Sequence, residues 1–446
     1  MSAAVSSPTT TAASHAGSHR RTGPLNAGRI TVWALFALAL IVAPYVFTSS
    51  LALTMLSQIG YLIVICLSYN ILLGQGGMLS FGHAVYTGLG SFITIHAMNM
   101  AGKGELPIPL VLMPVIGGLA GAFFAVLLGF VTTKKSGTTF AMITLGIGEL
   151  VASMALMFPE FFGGEGGITT DRVYGQGFMG ITFGPAIQVY YLIAAYCFAC
   201  TALMFAFTGT PLGRILNAVR DNPERVEFIG YNTQRVRWFA FIISGFFAGV
   251  GGALAAINFE IVTGADSVSI MRSGSYLLFT FLGGAGFFFG PIIGAVLLVF
   301  ASVLLSELSK AWLLYLGLAF LLMVMYAPGG IASLIMMNVR VARFKRLGQL
   351  GWLYLGLAVF GLVAVLGAAA MVEMTYHLQL NTAMGDELPF LGLQLNVRSA
   401  AHWAGAAALG GVGLVGLEWL RRQFARRWGA IQEQIEQQTK HQAEAA

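Results

Sequence analysis

The sequence predicts an all-α, polytopic transmembrane helical bundle. Apolar runs fill most of the 446-residue chain, and arginine and lysine lie almost entirely in the gaps between them. A run of about 20 apolar residues crosses the hydrocarbon core of a bilayer as a helix. Hydrophobic residues make up 57% of the chain and charged residues only 9%, whereas a soluble domain carries roughly 25% charged residues.

Because backbone in lipid must satisfy its own hydrogen bonds, each long apolar run is expected to form a helix. We predict roughly ten spans in a core and two more in a C-terminal extension. The predicted spans are residues 31–47, 51–73, 76–99, 107–131, 139–158, 186–209, 237–258, 274–287, 288–306, 311–327, 351–372 and 402–419. The segment 274–287 is short for a full span and also fits a re-entrant segment.

The basic residues predict how the spans are oriented. They cluster at 20–29, 134–135, 213–237, 340–346 and 421–427. An even number of predicted spans separates neighbouring clusters, so all five can face the cytoplasm together, as the positive-inside rule requires. We therefore expect an even total near twelve spans and both termini in the cytoplasm.

The chain is predicted to consist of four regions. Residues 1–28, rich in Ser, Thr, Ala and His, are predicted to be a disordered cytoplasmic N-terminus. Residues 29–339 form the transmembrane core, and residues 340–420 add two spans. Residues 421–446 are predicted to be a cytoplasmic amphipathic tail.

The tail carries Phe424, Trp428, Ile431 and Ile435 at helical spacing, with arginines alongside. That pattern fits a helix on the inner membrane surface, and it also fits a helix packed against a partner.

Composition argues against several other classes of protein. The net charge of +6 is explained by membrane topology and anionic lipid, so no nucleic-acid partner is expected. Cys66, Cys197 and Cys200 lie in apolar runs, which predicts packed thiols rather than disulfides or a metal site. The chain has no G-x-x-x-x-G-K-[ST] phosphate loop, and we find no clustered nucleophile, base and metal-ligand set. We therefore expect neither an enzyme nor a chain with its own cofactor.

A glycine-rich stretch, LSYNILLGQGGMLSFGHAVYTGLGSF, occupies residues 67–92. It combines many glycines with polar Asn70, Gln75, Ser80 and His83. The glycines predict a helix break or a very close helix crossing, and the polar groups are expected to face the bundle or a cavity. A substrate path and a tight crossing with satisfied polar groups both remain open.

A second segment with part of the same sequence pattern, FLGGAGFFFGPIIGA, lies at residues 281–295. Both stretches contain a glycine pair followed by Phe-Gly near the start of a span. Paired glycine-interrupted segments in two halves indicate a pseudo-symmetric transporter with its site between the repeats. Chance similarity in a chain with 57 glycines is the alternative.

The loop 213–237 interrupts the membrane pattern with charged residues and Pro223. Asp221 or Asn222 can cap a short helix whose first residue is Pro223, and Gly230 can end it. The loop is thus predicted to present a polar surface helix of about two turns. The alternative is a solvated connector whose arginines only fix the topology.

Two acidic residues occur in or beside predicted spans. Glu149 lies within the fifth span, where a carboxylate is a functional candidate, either contacting an ammonium or amide or pairing inside the bundle. Glu260 follows the seventh span and is expected to be structural. The predicted outer loop 159–185 carries four glycines near its start and could meet an external partner.

Together these stretches resemble the M-type permease subunit of bacterial ABC importers for branched-chain amino acids, with urea and short-amide importers as close relatives. The resemblance rests on GQGGMLSFGHA, on AVRDNPERVEFIG in the loop, and on FIISGFFAGVGGALAAI at 241–257. The segment 283–295 and the Pro-Gly-Gly at 328–330 match as well. The resemblance covers roughly residues 50–335.

The resemblance implies a multi-pass subunit of the bacterial inner membrane, with a second permease subunit, two ATPase subunits, an external substrate-binding protein and membrane lipid as partners. ATP and Mg²⁺ would be bound by the ATPase subunits. The residues implied in ATPase coupling are Arg220, Asp221, Asn222, Pro223, Glu224 and Gly230. Arg225 and Val226 replace residues that are often alanine in related loops.

The predicted function is therefore the translocation of branched-chain amino acids or related small polar solutes by alternating access. The residues predicted to line the path are Asn70, Gly76, Gly77, Ser80, Phe81, Gly82, His83, Glu149, Gly283 and Gly284. Transport of urea or short amides is one alternative. An ion-gradient-driven secondary transporter is another, kept open by Glu149 and His83.

Overall fold

The structure, a computed structural model, describes residues 27–174, 182–344, 348, 350–380, 385–390 and 392–444. The predicted disordered segment 1–28 therefore lies outside the described residues except at its end, where the first helix begins. The α-helices are α1 (Ala27–Val46), α2 (Ser50–Asn70), α3 (His83–Gly102), α4 (Met113–Thr132), α5 (Gly137–Met157), α6 (Pro159–Phe162), α7 (Ala186–Gly209), α8 (Pro211–Asp221), α9 (Pro223–Phe228), α10 (Thr233–Phe259), α11 (Gly264–Ser267), α12 (Ile270–Gly283), α13 (Gly290–Val299), α14 (Ser306–Leu308), α15 (Trp312–Tyr326), α16 (Gly330–Arg343), α17 (Gly351–Leu380) and α18 (Ala400–Glu444).

Short π-helical and 3₁₀ turns and four short strands lie between the α-helices. Ile71–Gln75 and Phe300–Leu305 are π-helical, and Leu110–Leu112 is a 3₁₀ turn. The strands are β1 (Ile168–Thr169), β2 (Ile261–Val262), β3 (Glu387–Phe390) and β4 (Leu393–Asn396). β1 pairs antiparallel with β2, with Ile168 opposite Val262, and β3 forms a hairpin with β4.

The helices confirm the predicted fold class. In the part of the chain that the structure describes, nine helices are long and apolar enough to cross a membrane, and α15 with α16, bent by 47°, makes ten if the pair is one span. Twelve spans were predicted, and two of these are not counted among the ten. α12 is too short, with only 14 residues, and α3 is too polar, because it carries two histidines and an asparagine. The span predicted at 76–99 begins later, at His83.

Helix α10 forms the centre of the bundle and packs most closely on α4 through glycines. A Cβ added at Gly121 would lie 2.2 Å from the carbonyl oxygen of Gly245, and one at Gly249 would lie 2.2 Å from that of Gly117. Such contacts leave no room for a side chain, because the two backbones touch directly. Close packing therefore accounts for these four glycines.

α10 also defines the two ends of the bundle. The loop of α8 and α9 precedes it, and we call this the loop end; β2 follows it, and we call the opposite end the sheet end. At the sheet end Glu260 accepts a hydrogen bond from the backbone N–H of Arg172 (3.0 Å) and pairs with its guanidinium (3.7 Å). Glu260 is thus structural, as predicted, and it anchors the loop that begins at Pro159.

The three cysteines are buried free thiols, as predicted. Cys66 lies in α2, and Cys197 and Cys200 lie in α7.

The C-terminal extension is a hairpin of α17 and α18. α18 continues without a break through Arg421, so the predicted tail is the C-terminal part of one long helix. Ile431 in that part is buried in a cluster with Leu350 and Leu353 of the same chain. The contact of the tail with the membrane surface or with a partner stays a prediction; the side chain of Ile435 lies outside the described residues.

Replacing Gly121 with leucine is expected to destabilise the protein by about 1–3 kcal/mol, the range for overpacking, because the side chain must displace the backbone of α10. Thermal unfolding of the detergent-purified protein measures the effect. Gly146, on the exposed side of α5 with open space around it, supplies the control G146L, which should unfold near the wild-type temperature. An equal fall in unfolding temperature in both variants would contradict the close packing of α4 on α10.

Candidate functional site

The glycine-rich stretch breaks the helix, as predicted. α2 widens into the π-helical turn Ile71–Gln75, and the chain then reverses at Gly77, where φ is +62°. The N–H of Gly77 donates to the carbonyl of Leu73 (3.1 Å), and the N–H of Met78 donates to that of Leu72 (2.8 Å). Residues 78–82 then run back along α2 without helical structure until α3 begins.

This non-helical backbone is held by the side chain of Tyr69. The hydroxyl of Tyr69 donates to the carbonyl oxygen of Ser80 (2.8 Å) and accepts from its N–H (3.2 Å). The N–H of Phe81 donates to the hydroxyl of Thr144 in α5 (3.1 Å). A Cβ on Gly82 would lie 2.4 Å from the carbonyl oxygen of Thr144. Irregular backbone at membrane depth is stable only when it is covered in this way by protein or lines a water-filled cavity.

His83, the first residue of α3, is fully buried and lies 2.9 Å from Ser68, measured from Nε2 to Oγ. The hydroxyl oxygen of Ser68 also lies 2.7 Å from the carbonyl oxygen of Ile65. When the hydroxyl donates to that carbonyl, Nε2 of His83 is the donor to Ser68 and Nδ1 is an acceptor. That Nδ1 atom is buried and has no partner among the described residues.

Unpaired buried polar atoms concentrate in this stretch. Six are found in the part of the chain that the structure describes, and four belong to it: Asn70 Oδ1, Gln75 Oε1, Ser80 Oγ and His83 Nδ1. Each such atom costs about 1–3 kcal/mol. A cluster of this kind in one segment points to a site that serves a passing solute, water or a second conformation.

The second glycine segment lies directly against the first. A Cβ on Gly74 would lie 2.2 Å from the carbonyl oxygen of Ala285 and 2.3 Å from Oδ1 of Asn70. Gly284 ends α12 with φ +115° and packs on the Pro-Gly-Gly turn at 328–330. The structure thus brings the two predicted segments together; their pseudo-symmetry stays a prediction.

The remaining predicted path glycines lie at backbone contacts in these segments. A Cβ on Gly76 would lie 2.8 Å from the carbonyl oxygen of Leu72, and one on Gly283 would lie 2.1 Å from that of Gly290. Both positions therefore exclude a side chain.

Glu149 is not part of this cluster. Gly148 is buried beside Gly82, whereas Glu149 is exposed and has no hydrogen bond to any described residue. Of its two predicted roles, pairing inside the bundle is not observed, because one step along a helix turns the side chain by about 100° away from Gly82. Contact with a solute stays a prediction.

The loop 213–237 folds as predicted into a short surface helix, α9. Asn222 is the cap, since its side-chain oxygen accepts from the N–H of Arg225 (3.1 Å), and Pro223 is the first helical residue. Gly230 follows the helix with φ +91°. Asp221 instead pairs with Arg220 (Nη2 to Oδ1, 3.0 Å), and Glu224 is exposed.

Two features of this loop were not predicted. First, the loop presents large apolar side chains, with Phe228 89% and Ile229 71% exposed. The sequence signal is the apolar pair that directly precedes Gly230. Second, Nη1 of Arg220 donates to the carbonyl oxygen of Gly74.

Arg220 therefore joins the surface loop to the glycine-rich stretch. A Cβ on Gly77 would lie 2.7 Å from Cγ of Arg220, so the reversal at Gly77 packs against the same side chain. No spacing in the sequence indicates this contact, because residues 74 and 220 are far apart along the chain.

The fold and this site define a polytopic transport permease. The profile of the family described as branched-chain amino acid transport system / permease component matches residues 51–328. Because this match covers more than half of the chain, the chain belongs to that family. It is a membrane permease subunit of an ABC importer, which is not itself an enzyme.

Similar proteins support the prediction that the chain is an M-type permease subunit. The chain is 28% identical over 293 residues to the high-affinity branched-chain amino acid transport system permease protein LivM of Escherichia coli K12, covering 60% of this chain and 67% of that protein. It is 24% identical over 282 residues to the probable branched-chain amino acid transport permease protein LivH of Methanocaldococcus jannaschii (60% and 85%). It is 24% identical over 259 residues to the galactose/methyl galactoside import permease protein MglC of Haemophilus influenzae (56% and 74%). No solved structure is detectably similar to the chain.

Replacing Ser80 with alanine is expected to leave the stability unchanged or to raise it by up to about 1 kcal/mol, because the buried hydroxyl oxygen has no partner to lose. The matched variant Ser68→Ala removes the hydroxyl that contacts His83 and should destabilise by about 1 kcal/mol. Thermal unfolding of both variants measures the difference. A loss for S80A as large as that for S68A would show that the Ser80 hydroxyl is satisfied.

Proposed function

We propose that this permease subunit moves branched-chain amino acids or related small polar solutes across a bacterial inner membrane by alternating access, driven by separate ATPase subunits. One observation carries the mechanism: Arg220 connects the surface loop to the backbone of Gly74. Motion imposed on the loop is thereby transmitted to the helix break that contains the unpaired polar atoms.

The surface loop is the proposed docking element for an ATPase subunit. Arg220, Asp221, Asn222, Pro223, Glu224 and Gly230 build the loop helix and its ends. Phe228 and Ile229 supply an exposed apolar tip, the kind of surface that a partner groove covers. ATP and Mg²⁺ would be bound by the ATPase, and this chain would hold no cofactor of its own.

The proposed path runs through the break between α2 and α3. Its residues are Asn70, Gly76, Gly77, Ser80, Phe81, Gly82 and His83, with Gly283 and Gly284 opposite. Two of the unpaired atoms are amide oxygens, which only accept hydrogen bonds: Asn70 Oδ1 and Gln75 Oε1. A set of free acceptors favours a solute with N–H donors, which an ammonium and an amide both have.

Glu149 is proposed to lie outside the path through the break between α2 and α3. It lies in the middle of the membrane-spanning helix α5 and is exposed on the surface of the chain. A carboxylate facing hydrocarbon is costly, so this side of α5 is proposed to face the second permease subunit or a water-filled path between the two.

The remaining partners follow from this arrangement. An external substrate-binding protein would meet the sheet end, where the loop from Pro159 is anchored by Arg172 and Glu260, and both termini would lie in the cytoplasm. The ATP-driven mechanism is favoured over an ion-gradient-driven one because the relatives are permeases of ABC systems. Urea and short amides remain the alternative solutes.

Replacing Arg220 with glutamine is expected to lower ATP-driven uptake about tenfold or more in proteoliposomes that contain the assembled transporter, because a charge-assisted contact to Gly74 is lost. Capture of the ATPase on purification should persist, since the apolar tip is intact. The control is Arg214→Gln, at an exposed arginine on the same helix α8, and it should transport normally. Normal uptake by R220Q would contradict the proposed transmission.

A further inference from the structure

A second polar feature lies away from the glycine segments. A cavity of about 270 Å³ opens at the sheet end between α2, α3, α10 and α12. Tyr61, Ile65 and Tyr276 line its buried part, and exposed Phe259 and Ile261 line its mouth. Its volume falls just below the range of about 300–1,000 Å³ for sites of drug-sized ligands, so it suits a small metabolite.

The cavity contains an ion pair, formed by Arg272 and Asp266. Arg272 lies in the first turn of α12, and α12 begins inside the bundle, because the N–H of Ala84 in α3 donates to the hydroxyl of its Ser273 (2.9 Å). The side chain of Arg272 is 36% exposed and that of Asp266 63% exposed, so both reach the solvent-connected part of the cavity.

The described part of the protein makes only some of the hydrogen bonds that Arg272 and Asp266 can form. Nη2 of Arg272 donates to one carboxylate oxygen of Asp266. The other guanidinium N–H groups make no hydrogen bond to a described residue, and neither does Oδ1 of Asp266. A cation with free donors and an anion with a free acceptor therefore stand side by side in a cavity lined by both apolar residues, such as Ile65 and Ala255, and hydroxyl-bearing residues, such as Tyr61 and Tyr276.

We propose that this cavity is a binding site for a zwitterionic α-amino acid with an apolar side chain. The free donors of Arg272 take its carboxylate, the free oxygen of Asp266 takes its ammonium group, and Ile65, Ala255 and Phe259 take its side chain. Guanidinium and carboxylate bind in this way through charge-assisted hydrogen bonds. This inference rests on the proposed function and names the solute class within it.

The cavity also distinguishes between the candidate solutes. A neutral short amide or a sugar can form hydrogen bonds to the two charged groups, whereas a zwitterion forms hydrogen bonds to them and also matches both charges. The cavity therefore favours amino acids, while the unpaired acceptors near Asn70 and His83 accept any N–H donor.

Uptake of L-leucine by proteoliposomes that contain the complete transporter and its binding protein tests the site. Arg272→Gln is expected to raise the KM, or lower uptake at a fixed concentration, about tenfold or more, the size expected for a lost hydrogen bond to a charged group. Ala255→Phe fills part of the cavity, leaves both charged residues in the sequence and should have a similar effect.

The control is Arg398→Gln, which breaks another arginine–aspartate pair, with Asp386 (Nε to Oδ1, 3.0 Å), outside the cavity. It should transport leucine normally. Wild-type leucine kinetics in both R272Q and A255F would overturn the binding site and leave the proposed function standing. A wild-type transporter that carries an amide but no amino acid would also overturn the amino-acid site, and it would leave the alternative solutes of the proposed function.

Discussion

The requirement that non-helical backbone inside a bilayer be covered by protein governs this structure. Residues 76–82 are not helical, yet they lie within the bundle. Tyr69 and Thr144 supply hydrogen bonds to that backbone, and close glycine contacts exclude lipid from it. Without those contacts the break between α2 and α3 would expose unpaired backbone groups to hydrocarbon.

The break serves as a junction between the two ends of the protein. On one side it contacts Arg220 of the surface loop, and on the other it leads into α3, whose first turn is fixed by Ser68 and Ser273. α12 carries Ser273 and also Arg272 of the cavity, so the loop end and the sheet end are linked through a short series of direct contacts. A two-state motion of the break between α2 and α3 would therefore change the contacts at both ends of the protein.

Sequence reasoning predicted the features that depend on local pattern. The helical fold class follows from apolar runs, the helix break from the glycines of residues 74–77, and α9 from Asn222, Pro223 and Gly230. It failed where a tertiary contact decides the outcome. The outward direction of Glu149, the packing of Ile431 on Leu353, the Arg220–Gly74 contact and the Arg272–Asp266 pair each depend on which helix faces are covered, and no local spacing encodes that.

In the proposed transporter an ATPase docks on the loop around Pro223 from the cytoplasm. Phe228→Cys places a thiol at a position that is 89% exposed, while the three native cysteines are buried. The measurement is alkylation of this thiol by a membrane-impermeant maleimide in oriented membrane vesicles, with and without the ATPase subunits. We expect labelling only from the cytoplasmic face, and protection from labelling when the ATPase is assembled. Labelling from the external face, or labelling that the ATPase does not reduce, would contradict it.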